Sequence, residues 1–158
     1  MRSRTVVPAF LLSLLLAFSG AAGAQAKAPP PAALDPAIDA CAQCRMSVKD
    51  SGYAAQAIAD DGRVYWFDDV GCLLAFLSAE SSLKIAARYV QDAESRSWVA
   101  LEKAFFVRSK EVATPMGYGI HAFALKAEVE SFAKARKDGA KAVALGDLVV
   151  VPAAGMKM

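Results

Sequence analysis

Residues 53–69 read Tyr53-Ala54-Ala55-Gln56-Ala57-Ile58-Ala59-Asp60-Asp61-Gly62-Arg63-Val64-Tyr65-Trp66-Phe67-Asp68-Asp69, and this run sets the fold class. Tyr53 to Ala59 has the composition of a strand. Asp60-Asp61-Gly62-Arg63 is a hairpin turn, because Gly62 accepts positive φ without steric cost. Val64 to Phe67 is aromatic and β-branched, which suits the return strand. Asp68 or Asp69 then caps a helix by accepting a backbone N–H. Leu73, Leu74, Phe76 and Leu77 give that helix, which runs to about Ser78, an apolar face. Ile85 to Val90 is a third strand, so the order is β-β-α-β.

The same order recurs downstream. Ala104 to Val107 and Ile120 to Leu125 are candidate strands, separated by the loop Thr114-Pro115-Met116-Gly117-Tyr118-Gly119. Lys126 to Arg136 is a helix of alternating charge with Val129, Phe132 and Ala133 at core spacing. Gly139 is placed at its C-terminal cap, and Ala142 to Leu145 is the last strand. The reading is an α+β fold of two tandem β-β-α-β modules, about 38–92 and 104–148 within a domain spanning 38–150, with small mixed or antiparallel sheets.

Outside this body the chain changes character. Arg2 and Arg4, the apolar run Val6 to Phe18 and the small-residue site Ala24-Gln25-Ala26 have the layout of a cleavable secretory signal over residues 1–26. The run is shorter than the ~20 apolar residues a membrane-spanning helix needs. Pro29, Pro30, Pro31 and Pro36 mark residues 27–37 as an extended linker. Residues 151–158 read as a flexible tail, in which Met156 and Met158 are further sulfur candidates and a frayed end is the simpler account. The chain has 18 basic and 16 acidic residues, and loss of Arg2 and Arg4 with the signal balances the two signs. No basic excess remains to hold a nucleic acid backbone or an anionic membrane surface.

The chemistry concentrates in Cys41-Ala42-Gln43-Cys44-Arg45-Met46, two thiols and a thioether on one segment. Soft sulfur donors select Cu(I) over harder divalent ions. Zinc takes thiolates readily but has little use for a Met sulfur. Of the three cysteines, at least one must stay unpaired, bind something or join another chain. A plain Cys41–Cys44 disulfide is the structural alternative in an oxidising compartment. Arg45 stands where a haem-attachment motif requires His. Met116, held in a stiff Pro-Met-Gly turn, is a further sulfur candidate. His121, the single histidine, is an imidazole candidate, against the more ordinary reading of a hydrogen-bonded neutral side chain. Cys72, next to Leu73 and Leu74, reads as a buried, inert thiol. Asp68 and Asp69 read as helix caps rather than as acid–base groups.

Together these residues resemble the NosL family, copper-binding accessory proteins of periplasmic nitrous oxide reductase. The resemblance runs from about Cys41 to Leu148. It takes in Cys41 to Met46, Tyr53-Ala54-Ala55-Gln56, Trp66-Phe67-Asp68-Asp69-Val70-Gly71-Cys72, Phe106-Val107, Thr114 to Gly119, and Ala122-Phe123. It implies a paired β-β-α-β architecture similar to a part of organomercurial lyase. It implies Cu(I) as the bound ion, no turnover of the chain's own, and delivery to a client copper enzyme such as nitrous oxide reductase. Carried over by motif, Cys41, Cys44, Met46 and Met116 match the family's sulfur positions, with His121 as the further donor. Many members are lipoproteins acylated on a Cys at the mature start. Here Cys41 follows a Pro-rich stretch instead, so a periplasmic protein without a lipid anchor is expected. Two other classes fit the same residues: a thiol–disulfide reductase using Cys41 and Cys44, and a binding module stabilised by zinc or a disulfide.

Overall fold

In a computed structural model of the chain, residues 27–49 and 51–148 are described. The expected signal (1–26) and tail (151–158) lie outside them. None of the described helices is long and apolar enough to cross a membrane.

The hairpin forms as its residues dictate. Strands β1 (Ala55–Ala59) and β2 (Val64–Phe67) pair antiparallel, with Ala55 opposite Phe67. Gly62 turns the chain at φ +85°, a backbone conformation that L side chains rarely adopt. Helix α1 (Val70–Ala79) follows, and Asp69 rather than Asp68 is its cap, accepting from Gly71 N at 2.8 Å. Strand β3 (Ile85–Gln91) returns beside β1, antiparallel. A further three-residue strand, β4 (Trp98–Ala100), extends the sheet to the order β2-β1-β3-β4. Three residues carry no measurable alternation, so β4 has no signature in the sequence.

The second half repeats the first in topology as well as in order. Strands β5 (Phe105–Arg108), β6 (Ile120–Phe123) and β7 (Lys141–Val143) form an antiparallel sheet in the order β6-β5-β7, with α2 (Lys126–Lys134) between β6 and β7 in sequence. The first strand of each half is therefore flanked by the second and the third. Both sheets are antiparallel among the described residues. Gly139 is not the cap of α2: the helix closes on Ala135, and Gly139 sits in the turn before β7.

Burial follows strand alternation. Phe106, Ile120 and Ala122 face the main core, where they join Cys41, Phe67, Leu73, Phe76 and Leu101. Val107 and Phe123 face the other way, onto Val129 and Phe132 of α2. Asp92 joins the halves, one carboxylate oxygen accepting from Ser95 N and the other from Ala124 N, both at 2.7 Å. The proline-rich segment is extended, yet it is docked on the first sheet rather than free. Gln56, fully buried on β1, accepts from Ala32 N and donates to Ala32 O, and Tyr89 Oη donates to Pro29 O at 2.6 Å. A buried amide requires such partners, which is why a polar residue sits in an alanine-rich strand.

Candidate metal centre

Cys41 is fixed by β2. It forms a parallel bridge with Trp66, Ala42 N donates to Trp66 O, and an antiparallel bridge between Ala40 and Ser47 closes the loop behind it. Inside the loop Cys41 N donates to Met46 O at 2.8 Å and Arg45 N to Cys41 O at 2.9 Å. Arg45 holds φ +69° to complete the turn, a conformation costing a non-glycine residue about 1–2 kcal/mol. The outcome is that Cys44 folds back over Cys41, its N–H donating to Cys41 Sγ at 3.4 Å.

The bridge to Trp66 also brings the loop beside the end of β2 and the start of α1. Asp68, directly after β2, accepts from Cys44 Sγ at 3.3 and 3.4 Å. Cys72, in the first turn of α1, completes the group. One donor atom each from Cys41, Cys44, Asp68 and Cys72 lies within 4.8 Å of the other three. All three thiols are free; Cys41 and Cys72 are fully buried and Cys44 is half-buried. Two Zn–S bonds of about 2.3 Å each reach across nearly this separation, so the donors are grouped on the scale of a single metal site.

The thiols are not equivalent. The hydrogen bond from Cys72 is the main influence that draws Cys41 down to about 7, burial opposing it and the Cys44 N–H assisting. Burial, with the neighbouring Cys41, pushes Cys44 up to about 12. Cys72 is driven upward as well, chiefly because its proton is the one shared with Cys41. The cluster therefore concentrates negative charge on Cys41, one of its two fully buried sulfurs, and a thiolate is the form that ligates metals.

A second carboxylate organises the far wall. Asp69, fully buried, accepts from Gly71 N, from Met116 N at 3.1 Å and from the Thr114 hydroxyl. It thereby ties the 114–119 loop to the start of α1. Tyr118 lies across Gly71 so closely that a Cβ there would sit 2.2 Å from ring carbons. The loop and the 46–53 segment enclose a groove of about 380 Å³, lined by Met46, Tyr53, Asp68, Thr114 and Pro115 among others. Asp68 thus belongs both to the groove and to the thiol cluster. Met46, half-exposed, stands on its wall, and Met116, next in sequence to the groove residue Pro115, packs against the main core.

The cluster differs from the donor set expected from sequence. Asp68 and Cys72 join it, and Cys72 is buried as expected but lies against Cys41. His121 does not join it. It pairs with Val107 on β5, and alternation turns its ring onto the α2 face, 4.7 Å from Phe132 and 5.7 Å from Tyr53. Burial lowers its pKa from 6.5 to about 4, so the folded state holds it neutral. A depressed pKa gives stability that is present above 6.5 and lost as the pH falls towards 4. The shift corresponds to about 3 kcal/mol. Asp69, raised by burial, acts in the opposite sense above 3.8. Comparing urea midpoints of the wild type and His121→Leu across this window isolates the histidine. The variant is expected to lose the wild type's decline between pH 6.5 and 4.

The NosL family profile matches residues 31–149. The fold is similar to the crystal structure of the copper chaperone NosL from Shewanella denitrificans, with a TM-score of 0.62 at 20% identity, over 75% of this chain and 96% of that one. No curated protein matches the sequence. With a family match over most of its length and the same fold, the chain belongs to the NosL family.

Proposed function

We propose that this protein is a cuprous-ion carrier: it binds one Cu(I) at Cys41, Cys44 and Cys72 and passes it to a client copper enzyme, without turnover of its own. The observation that carries the reading is the packing of three thiol sulfurs within 4.8 Å of one another, with Cys41 poised to ligate near neutral pH. Soft thiolates select Cu(I). The name of the similar Shewanella protein, a copper chaperone, points the same way. Met46 is the exposed sulfur at the groove. In this reading it and Met116 offer neutral thioethers through which an ion enters or leaves while a thiolate still holds it. The secretory layout of residues 1–26 supports a periplasmic carrier, and nitrous oxide reductase is the client expected of the family.

Asp68 supports a second reading. Three thiols and a carboxylate also suit tetrahedral zinc. Anaerobic titration of the reduced protein separates the two. The carrier takes up one Cu(I) against a competing chelator and keeps it in excess Zn(II). Retention of zinc with release of copper overturns the proposal.

A further inference from the structure

We propose that the same site carries a second chemistry: Cys44 and Cys41 exchange with small disulfides and close as an intramolecular disulfide that excludes the cuprous ion. A dithiol-reducing reaction must therefore precede loading. The exclusion of copper rests on the carrier reading above; the exchange itself rests on the arrangement of the thiols.

Three observations carry it. First, access is unequal. Cys41 and Cys72 are fully buried, and Cys44 is the one of the three with solvent exposure, so an external disulfide meets Cys44 first. Second, the hydrogen bonds from Cys44 Sγ to Asp68 at 3.3 and 3.4 Å hold the accessible sulfur inside the cluster. Third, the resolving sulfur is near: Cys41 Sγ lies within 4.8 Å of Cys44 Sγ, and the two share a loop held at both ends. Cys72 is fixed on a separate element, the first turn of α1.

The steps balance. Cys44 Sγ attacks one sulfur of the incoming disulfide as its proton passes to the departing sulfur. That S–S bond breaks, and the first small thiol leaves carrying the proton from Cys44. Cys41 Sγ then attacks Cys44 Sγ, the mixed disulfide breaks, and the second small thiol leaves with the proton from Cys41. Two cysteine thiols are oxidised to one disulfide while one small disulfide is reduced to two thiols. Both sulfurs that would hold the ion are then consumed. Once copper occupies them they are no longer free to attack, so the ion protects the site that binds it.

The test treats reduced, metal-free protein with oxidised glutathione under anaerobic conditions. The thiol titre in denaturant is expected to fall from the three free cysteines to one. Trypsin cuts after Lys27 and Arg45, so the peptide carrying Cys41 and Cys44 should be lighter by two hydrogens, with Cys72 still alkylatable in the peptide ending at Lys84. Protein loaded with Cu(I) beforehand should keep all three thiols. A titre that stays at three, a stable glutathione adduct, a link between the Cys41 and Cys72 peptides, or equal oxidation of the loaded protein overturns the proposal. The carrier reading fails by a different result: reduced protein with three titrating thiols that retains no Cu(I).

Discussion

Cys41→Ser is expected to weaken Cu(I) binding more than about 100-fold, since removal of an outer partner of a metal ligand alone costs about 10–100-fold. Cys41 is the sulfur on which the others converge, with the Cys72 thiol and the Cys44 N–H both directed at it. Serine keeps the volume nearly unchanged and still accepts those hydrogen bonds, so the loop and its bridge to Trp66 should survive. What it removes is a soft, ionisable ligand atom; a hydroxyl in this position stays protonated and hard. Anaerobic competition against a Cu(I) chelator measures the loss, and a circular dichroism melt of the same sample confirms that the fold is kept. Met46→Ala should cost less, because its thioether is neutral and its side chain is 52% exposed. A Cys41→Ser protein that binds as tightly as the wild type, or a larger loss for Met46→Ala, would shift the site away from the thiol cluster.

These two substitutions also mark where sequence reading stops. The segment from Cys41 to Met46 is contiguous, so its sulfur content is visible directly. That Cys72 and Asp68 belong with it depends on Cys41 pairing with Trp66, a single parallel bridge between distant residues. No periodicity announces such a contact, and Leu73 and Leu74 made burial the natural reading of Cys72. Cys72 is buried, and what it lies against is Cys41. The hairpin and α1 were legible because each carries its own local chemistry: Gly62 in the turn, aromatics on β2, and an aspartate at the cap. Both halves repeat the sheet order of their first three strands, which the repeated element order anticipated. His121 lies at spacing two from Phe123, on the strand face that packs against Val129 and Phe132 of α2 and away from the thiols. The docked segment at 29–34 had a signal too, since a glutamine in an all-buried strand demands a partner.

Asp69→Ala should destabilise the protein by about 3 kcal/mol, combining loss of a helix cap with buried donors left unpaired. The carboxylate accepts from Gly71 N, Met116 N and the Thr114 hydroxyl, and it is fully buried. Alanine strands all three donors where water cannot replace the acceptor. The gain from no longer desolvating a carboxylate, whose cost is visible in the upward pKa of Asp69, offsets part of this and keeps the net figure from rising further. For a domain of this size the melting temperature should fall by about 10 °C. Asp69→Asn retains one acceptor oxygen for the α1 cap but turns an amide toward the loop, so its loss should be smaller. The loop should feel the change most, because Tyr118 stays over Gly71 only while Met116 and Thr114 are tied to the helix start. Limited proteolysis should then open the chain between Lys110 and Tyr118 in Asp69→Ala before any other site. A variant with wild-type melting and an equally protected loop would show that Tyr118 packing alone holds the two halves of the site together.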